Sequence, residues 1–211
     1  MELQHEATLA VATGLAAEPL VGVLSLQGDV AEHLAMLRGA GCQAVPVKTK
    51  ETIAAVDGLV IPGGESTTVG KLLVKYGLDE LIRRKAAAGM PVFGTCTGLI
   101  LLAKHIEGSE QPRLGLMDIW VQRNAFGRQV DSFEADVDVQ GVEGGPVRAV
   151  FIRAPYIERV GPGVEVLAKV DGKAVLARQG QFLASAFHPE LTDDDRVHRL
   201  FVEMVRNHRR R

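Results

Sequence analysis

The sequence predicts an α/β fold: a doubly wound, mostly parallel sheet with flanking helices, with antiparallel strands in the C-terminal half. Three observations carry this. Between residues 20 and 103, short continuous apolar runs alternate with segments of helical spacing, the pattern of strands covered on both faces and joined by crossover helices. Three of those runs end in small-residue turns, Gln27-Gly28, Pro62-Gly63-Gly64-Glu65-Ser66 and Gly94-Thr95-Cys96-Thr97-Gly98. All three then fall at the carboxyl ends of strands, where open α/β sheets collect their functional groups. Beyond Trp120 the chain turns strand-rich, with alternation over residues 133–139.

Residues 20–26 read as a buried strand, and Asp29 as the cap of a helix carrying Val30, Leu34 and Leu37. Residues 43–47 and 58–61 give the second and third strands. A helix from about Thr67 carries Val69, Leu72 and Leu73, and another covers 78–87. Residues 91–93 form a strand that runs into the cysteine turn, and the helix from Thr97 presents Leu99, Ile100, Leu102 and Ala103. Strands follow at 149–152, 164–170, 174–177 and 182–187, with turns at Gly144-Gly145 and Asp171-Gly172. A last helix over 194–207 places Val197, Leu200, Phe201, Met204 and Val205 on one face. With no repeat or linker, residues 20–208 read as a single domain, 1–19 as a disordered N-terminal extension and 209–211 as a basic tail.

The 211 residues suffice for one well-cored domain, and 46% hydrophobic with 24% charged residues is ordinary for a globular chain. A net charge of -2 argues against a nucleic-acid surface covering the whole protein. The longest apolar stretches are too short to span a bilayer. The first nineteen residues carry acids early and lack the basic region of a signal peptide. Two cysteines make no disulfide framework. The expectation is a reducing cytoplasm, with Cys42 a small core residue.

Cys96 centres a G-x-C-x-G turn between a strand and a helix, the thiol counterpart of a nucleophile elbow. A helix N-terminus favours thiolate, and the Thr97 N–H is placed to meet an oxyanion. The alternative is a buried structural cysteine. His188-Pro189-Glu190 offers a base and a carboxylate to orient it, on the same side of the chain if the segment is extended. The remaining histidines, His33, His105 and His198 among them, read as surface residues. Gly63-Gly64 lets backbone N–H groups approach a ligand, as an oxyanion hole requires, and Glu65 suits an ammonium group better than a phosphate. Arg123, Arg128 and Arg153, near Asn124 and Gln129, are candidates for carboxylate recognition. Metal binding is poorly supported, since His188-x-Glu190 has few partners and residues 193–195 read as the cap of the last helix.

These residues resemble the class I, triad-type glutamine amidotransferases. The stretches Leu26-Gln27-Gly28-Asp29, Pro62-Gly63-Gly64-Glu65-Ser66-Thr67-Thr68 and Phe93-Gly94-Thr95-Cys96-Thr97-Gly98 carry the likeness. So does Phe187-His188-Pro189-Glu190-Leu191-Thr192. The RNAFGRQVDSFE stretch from Arg123 and FIRAP from Phe151 are similar to the glutaminase subunits of two-protein pyridoxal 5'-phosphate synthases. The likeness spans roughly residues 20–207. It implies that Cys96 attacks the side-chain amide of L-glutamine, with His188 as base and acid and Glu190 orienting it. By position it assigns the oxyanion hole to the Gly64 and Thr97 N–H groups. Glutamine contacts fall to Gly64, Glu65, Ser66, Arg123, Ile152 and Arg153, with Gln27 on the interface side. No cofactor or metal is implied.

Thr97 stands where such families usually have alanine, and little effect is expected because its backbone is the actor. Free ammonia is lost to solvent, and the chain ends soon after Glu190 with no synthase domain. The acceptor is therefore expected on another protein, by resemblance a (β/α)8-barrel synthase. The runner-up reading is a cysteine peptidase or stress-response hydrolase on a related fold, disfavoured by Thr97 after the cysteine and by the distant H-x-E. A regulatory subunit with a relic site is disfavoured by the intact Cys96, His188 and Glu190.

Overall fold

The computed structural model describes residues 18–123 and 132–210. Most of the expected N-terminal extension, together with Asn124, Arg128, Gln129 and Arg211, lies outside the described residues.

The apolar runs become the centre of a sheet. β1 (Leu20–Leu24), β2 (Gln43–Val47), β3 (Gly58–Ile61) and β4 (Val92–Thr95) alternate with α1 (Val30–Gly39), α2 (Lys50–Ala54), α3 (Ser66–Lys75) and α4 (Leu78–Ala87). α5 (Thr97–Leu102) follows β4 directly. Then come β5 (Ala103–Ile106), β6 (Met117–Gln122), β7 (Ser132–Val137), β8 (Val147–Ile152), β9 (Tyr156–Val160), β10 (Glu165–Val170), β11 (Lys173–Gln179) and β12 (Phe182–Ser185). A 3-10 turn (Pro189–Leu191) and α6 (Arg196–Arg209) close the described chain.

The main sheet runs β2-β1-β3-β4-β12-β11-β9-β6-β5, with β10 on β11, while β7 and β8 pair apart. The pairs β2-β1, β1-β3, β3-β4 and β4-β12 are parallel, and β12-β11, β11-β9 and β9-β6 are antiparallel. The expected mostly parallel sheet with antiparallel strands in the C-terminal half is therefore what forms. β1 lies between β2 and β3, so the chain winds one way from β1 to β2 and the other way from β2 through β3 to β4. Right-handed crossovers put the intervening helices on opposite faces. α1 accordingly packs with α6, while α2 meets α4 and α3 meets α4 and α5. The place where winding reverses, beside the ends of β1 and β3, is where such sheets open a crevice.

Local chemistry explains where the elements depart from the periodicity. Ala103 does not extend α5: its backbone is extended (φ -65, ψ 139), and it begins β5. β12 stops at Ser185 rather than reaching Phe187. The Ser185 Oγ accepts the Phe187 N–H at 3.2 Å and donates to its carbonyl at 2.9 Å, drawing the backbone out of the ladder. Asp29 precedes α1 but makes no side-chain capping bond. At α6 it is Asp194, not Asp195, whose Oδ1 accepts the Arg196 N–H, at 3.1 Å. Asp171-Gly172 does turn the β10–β11 hairpin, with both residues at positive φ (49 and 76).

Candidate active site

Cys96 sits at the end of β4 with φ 48 and ψ -98, a conformation costly for a residue with a Cβ and sustained only by its surroundings. Its N–H donates to the Ser185 carbonyl at 2.8 Å, tying the elbow to β12. The flanking glycines answer to close approach. A Cβ on Gly94 would lie 2.4 Å from the Gly98 carbonyl carbon, and one on Gly98 would lie 2.1 Å from the Ile61 oxygen. α5 thus starts pressed against the end of β3.

His188 leaves β12 beside this turn, its N–H donating to the Val150 carbonyl in β8 at 2.8 Å. The segment after it is not extended: Pro189 opens the 3-10 turn, with His188 itself at φ -103 and ψ 87. The fold-back still delivers Glu190, whose Oε1 lies 2.7 Å from His188 Nδ1. With Nδ1 so engaged, Nε2 is the nitrogen left to serve Cys96, which lines the same cleft and whose thiol lies 4.0 Å from the Ile152 carbonyl oxygen. Burial opposes the charged imidazole, but the neighbouring Cys96 and the hydrogen-bonded Glu190 overcome it, raising His188 to about 10. Glu190 is buried too, yet hydrogen bonds from His188 and His33 hold its carboxyl well below the usual range. Asp29 Oδ2, His188 Nδ1 and a Glu190 oxygen lie within 4.8 Å of one another. Nδ1 already serves the Glu190 bond, so the trio is read as a hydrogen-bonded pair with Asp29 at its edge, 3.8 Å away.

A cleft of about 440 Å³ opens over the thiol. Cys96 and His188 line it with Gly64, Glu65, Ser66, Thr97, Arg123, Ile152 and Arg153, while Glu190 stands behind His188. Gln27, Asp29 and Ile100 complete the wall. Arg153 holds a positive φ of 42, a second strained non-glycine residue at the cleft. Gly63 lacks a side chain because a Cβ there would sit 2.6 Å from His188 Cε1. The Gly64 loop is pinned from below by Gln27, whose Oε1 accepts the Glu65 N–H at 2.9 Å.

Two of these residues do more than the sequence implies. Glu65 caps α3, its two oxygens accepting the N–H groups of Thr67 (3.0 Å) and Thr68 (2.7 Å). Hydrogen bonds from Thr68, above all from its side chain, and from Thr67 draw its carboxyl down to about 2. An ammonium group held there would share a carboxylate already committed to the helix. Thr97 is not a bystander either. Its hydroxyl donates to the Gly64 carbonyl at 2.5 Å, joining the two proposed halves of the oxyanion hole, so the expectation of little effect does not follow. Thr97→Val keeps the shape and removes that bond to the exposed Gly64 loop, a cost of about 0.5–1.5 kcal/mol. Glutamine turnover by the valine variant should fall about tenfold while Thr97→Ser stays near wild type; equal steady-state rates in both would remove the latch.

Sequence reasoning misses a supporting ring. Gln111 is buried, and its Oε1 accepts from Arg123 Nη1 at 2.9 Å and from the Ser66 and Thr67 hydroxyls at 3.3 Å each. Nothing near Gln111 in sequence marks it. His33 and His198, expected on the surface, are both 0% exposed. Their signal was present. His33 shares a helical stripe with Val30 and Leu37, and His198 lies four residues before Val202, all positions that face inward. His105 is exposed and stacks on Trp120 with ring centroids 4.2 Å apart.

Known proteins resemble this chain. The chain is 58% identical over 185 residues to the pyridoxal 5'-phosphate synthase subunit PdxT of Carboxydothermus hydrogenoformans, covering 88% of this chain and 97% of that protein. It is 58% identical over 193 residues to the PdxT of Streptomyces coelicolor, covering 90% and 96%. A solved glutamine amidotransferase matches with a TM-score of 0.84 at 53% identity, over 88% of this chain and 98% of that one. PurLQS from Thermotoga maritima, only 14% identical, shares the fold with a TM-score of 0.67 over 90% and 98%. Residues 23–207 match one family model, and on these grounds the chain belongs to the SNO glutamine amidotransferase family.

Proposed function

We propose that the chain hydrolyses L-glutamine to L-glutamate and ammonia through Cys96, His188 and Glu190, and hands the ammonia to a separate (β/α)8-barrel synthase subunit that builds pyridoxal 5'-phosphate. The observation that carries this is Cys96 on its strained elbow, in one cleft with a histidine whose Nδ1 lies 2.7 Å from Glu190. Sγ attacks the side-chain amide carbon while His188 holds the proton, and the carbonyl electron pair becomes an oxyanion. The Thr97 and Gly64 N–H groups are assigned to meet that charge. As the oxyanion collapses, the C–N bond breaks and His188 gives its proton to the leaving nitrogen, releasing ammonia. Water then attacks the thioester with His188 as base, the C–S bond breaks, and sulfur recovers its proton. Arg123 and Arg153 suit the substrate's α-carboxylate.

The likeness to PdxT subunits supports the destination of the ammonia. Both cysteines are free, which favours a reducing compartment such as the cytoplasm. No helix among the described residues is long and apolar enough to cross a membrane. With the barrel synthase present, L-glutamine should yield glutamate and ammonia in equal amounts, and a diazoketone analogue of glutamine should attach to Cys96, read by peptide mass mapping. Ammonia release with no label on Cys96, or peptide cleavage that survives the analogue, would overturn the proposal.

A further inference from the structure

Buried polar contacts continue beyond Glu190. Behind it, wholly buried, His33 on α1 places Nε2 3.4 Å from Glu190 Oε1 and 3.1 Å from the Thr95 hydroxyl. On the far side of that ring, His33 Nδ1 lies 3.0 Å from Nε2 of His198 on α6. Two imidazoles thus continue from the carboxylate into the core between α1 and α6.

One proton arrangement fits. A bare His33 Nε2 would turn its lone pair on a buried anionic oxygen, so Nε2 carries the hydrogen and Nδ1 is the acceptor. His198 must then donate from Nε2, leaving its Nδ1 a bare acceptor. That atom has no partner, and neither does Glu190 Oε2. The reverse arrangement would bury an unpartnered N–H on His198, the costlier defect. Burial, above all, and the neighbouring His33 lower His198 to about 3, which keeps it neutral.

We infer that His33, held in register by His198, is a positioning residue that anchors the Glu190 carboxylate as an aligned anion through the reaction. The inference rests on the proposed triad. When His188 gives its proton to the departing nitrogen, Glu190 loses its charged partner while remaining buried, and an uncompensated buried carboxylate is expensive. The His33 N–H persists through that step, so Glu190 neither takes up a proton nor swings away. The Cys96 elbow is drawn in as well, because Thr95 immediately precedes it.

The titratable groups facing these contacts are Glu190 and His188 from the turn after β12, His198 and Asp195 from α6 and its cap, Asp29 before α1, and Cys96. Glu190 helps hold the imidazolium of His188, so a loosened carboxylate lowers the point at which His188 loses its proton. The alkaline limb of the rate profile should then move to lower pH.

The test is glutamine hydrolysis by His33→Leu, His33→Gln and Cys96→Ala chains, each with the synthase subunit present and folding verified by thermal melt. His33→Leu should lower kcat about ten- to a hundredfold, the loss of one hydrogen bond to a charged group read as rate, with KM changed less than about twofold. Its alkaline limb should fall, and His33→Gln, which restores an N–H donor, should recover most of both. Imidazole proton–nitrogen correlation spectra of the wild-type chain should show hydrogen on Nε2 of both His33 and His198, a readout that needs no variant to fold. Hydrogen on His33 Nδ1 alone, or a folded His33→Leu chain with wild-type kcat and pH limb while Cys96→Ala is inactive, would overturn the inference alone. Hydrolysis that survives Cys96→Ala would overturn the triad and this inference together.

Discussion

Cys96→Ala should abolish glutamine hydrolysis, by at least about four orders of magnitude, and leave the fold in place. The rate falls because the nucleophile and its covalent intermediate are gone, and a triad acts as a unit, so His188 and Glu190 have nothing left to activate. The fold survives because alanine inherits the same unfavourable φ of 48 and removes only one partly buried sulfur atom. Stability should change by about 1 kcal/mol or less. Glutamine should still bind, because Arg123, Arg153 and the Gly64 loop remain. Steady-state ammonia release, a thermal melt and calorimetric glutamine titration check the three parts. Retention of more than about a hundredth of wild-type turnover would remove Cys96 from its role.

Gly98→Ala should be a strongly damaging change, and it acts through packing rather than chemistry. A methyl group there would lie 2.1 Å from the Ile61 carbonyl oxygen and 3.2 Å from Ile61 Cβ. Both contacts are with the end of β3, which is fixed in the sheet between β1 and β4. Neither partner can rotate away, so α5 must lift from the sheet and carry the Thr97 N–H and the Cys96 elbow with it. Overpacking of this kind costs about 3 kcal/mol, a fall of roughly 6–12 °C in melting temperature for a chain of this length. Turnover should drop beyond what unfolding explains, because the oxyanion donor moves with the helix. A melting temperature within about 2 °C of wild type would mean that α5 is less tightly seated than this contact implies.

The parts of this molecule that are legible in sequence are those whose cause is local. β1, β3 and β4 announce themselves because strands covered on both faces must be apolar throughout, and the turns after them because close backbone approach demands glycine. β6 alternates buried and half-buried positions over Met117–Gln122, but six residues are a weak pattern. β9 pairs β11 at Ala174 and Ile157 and shows no clean period. α2 is set by a reciprocal cap between Thr49 and Thr52, where threonine takes the place of the usual glutamate.

At the site, Cys96, His188 and the Gly64 loop are readable because spacing and residue type state their chemistry. The layer behind them is not. Gln111 reaches the cleft from a segment with no regular structure. His33 and His198 meet only because α1 and α6 pack on one face. Glu190 reaches His188 through the 3-10 turn rather than along an extended chain.

The pairing of β4 with β12 also orders events in time. During synthesis the Cys96 elbow emerges before β12, the strand that anchors it, and before His188, the histidine that activates it. Until then β4 presents an open edge, a template for wrong pairing that invites chaperone attention. The same delay keeps the nascent chain chemically silent: a thiol without its base releases no ammonia until β12 and His188 have been made.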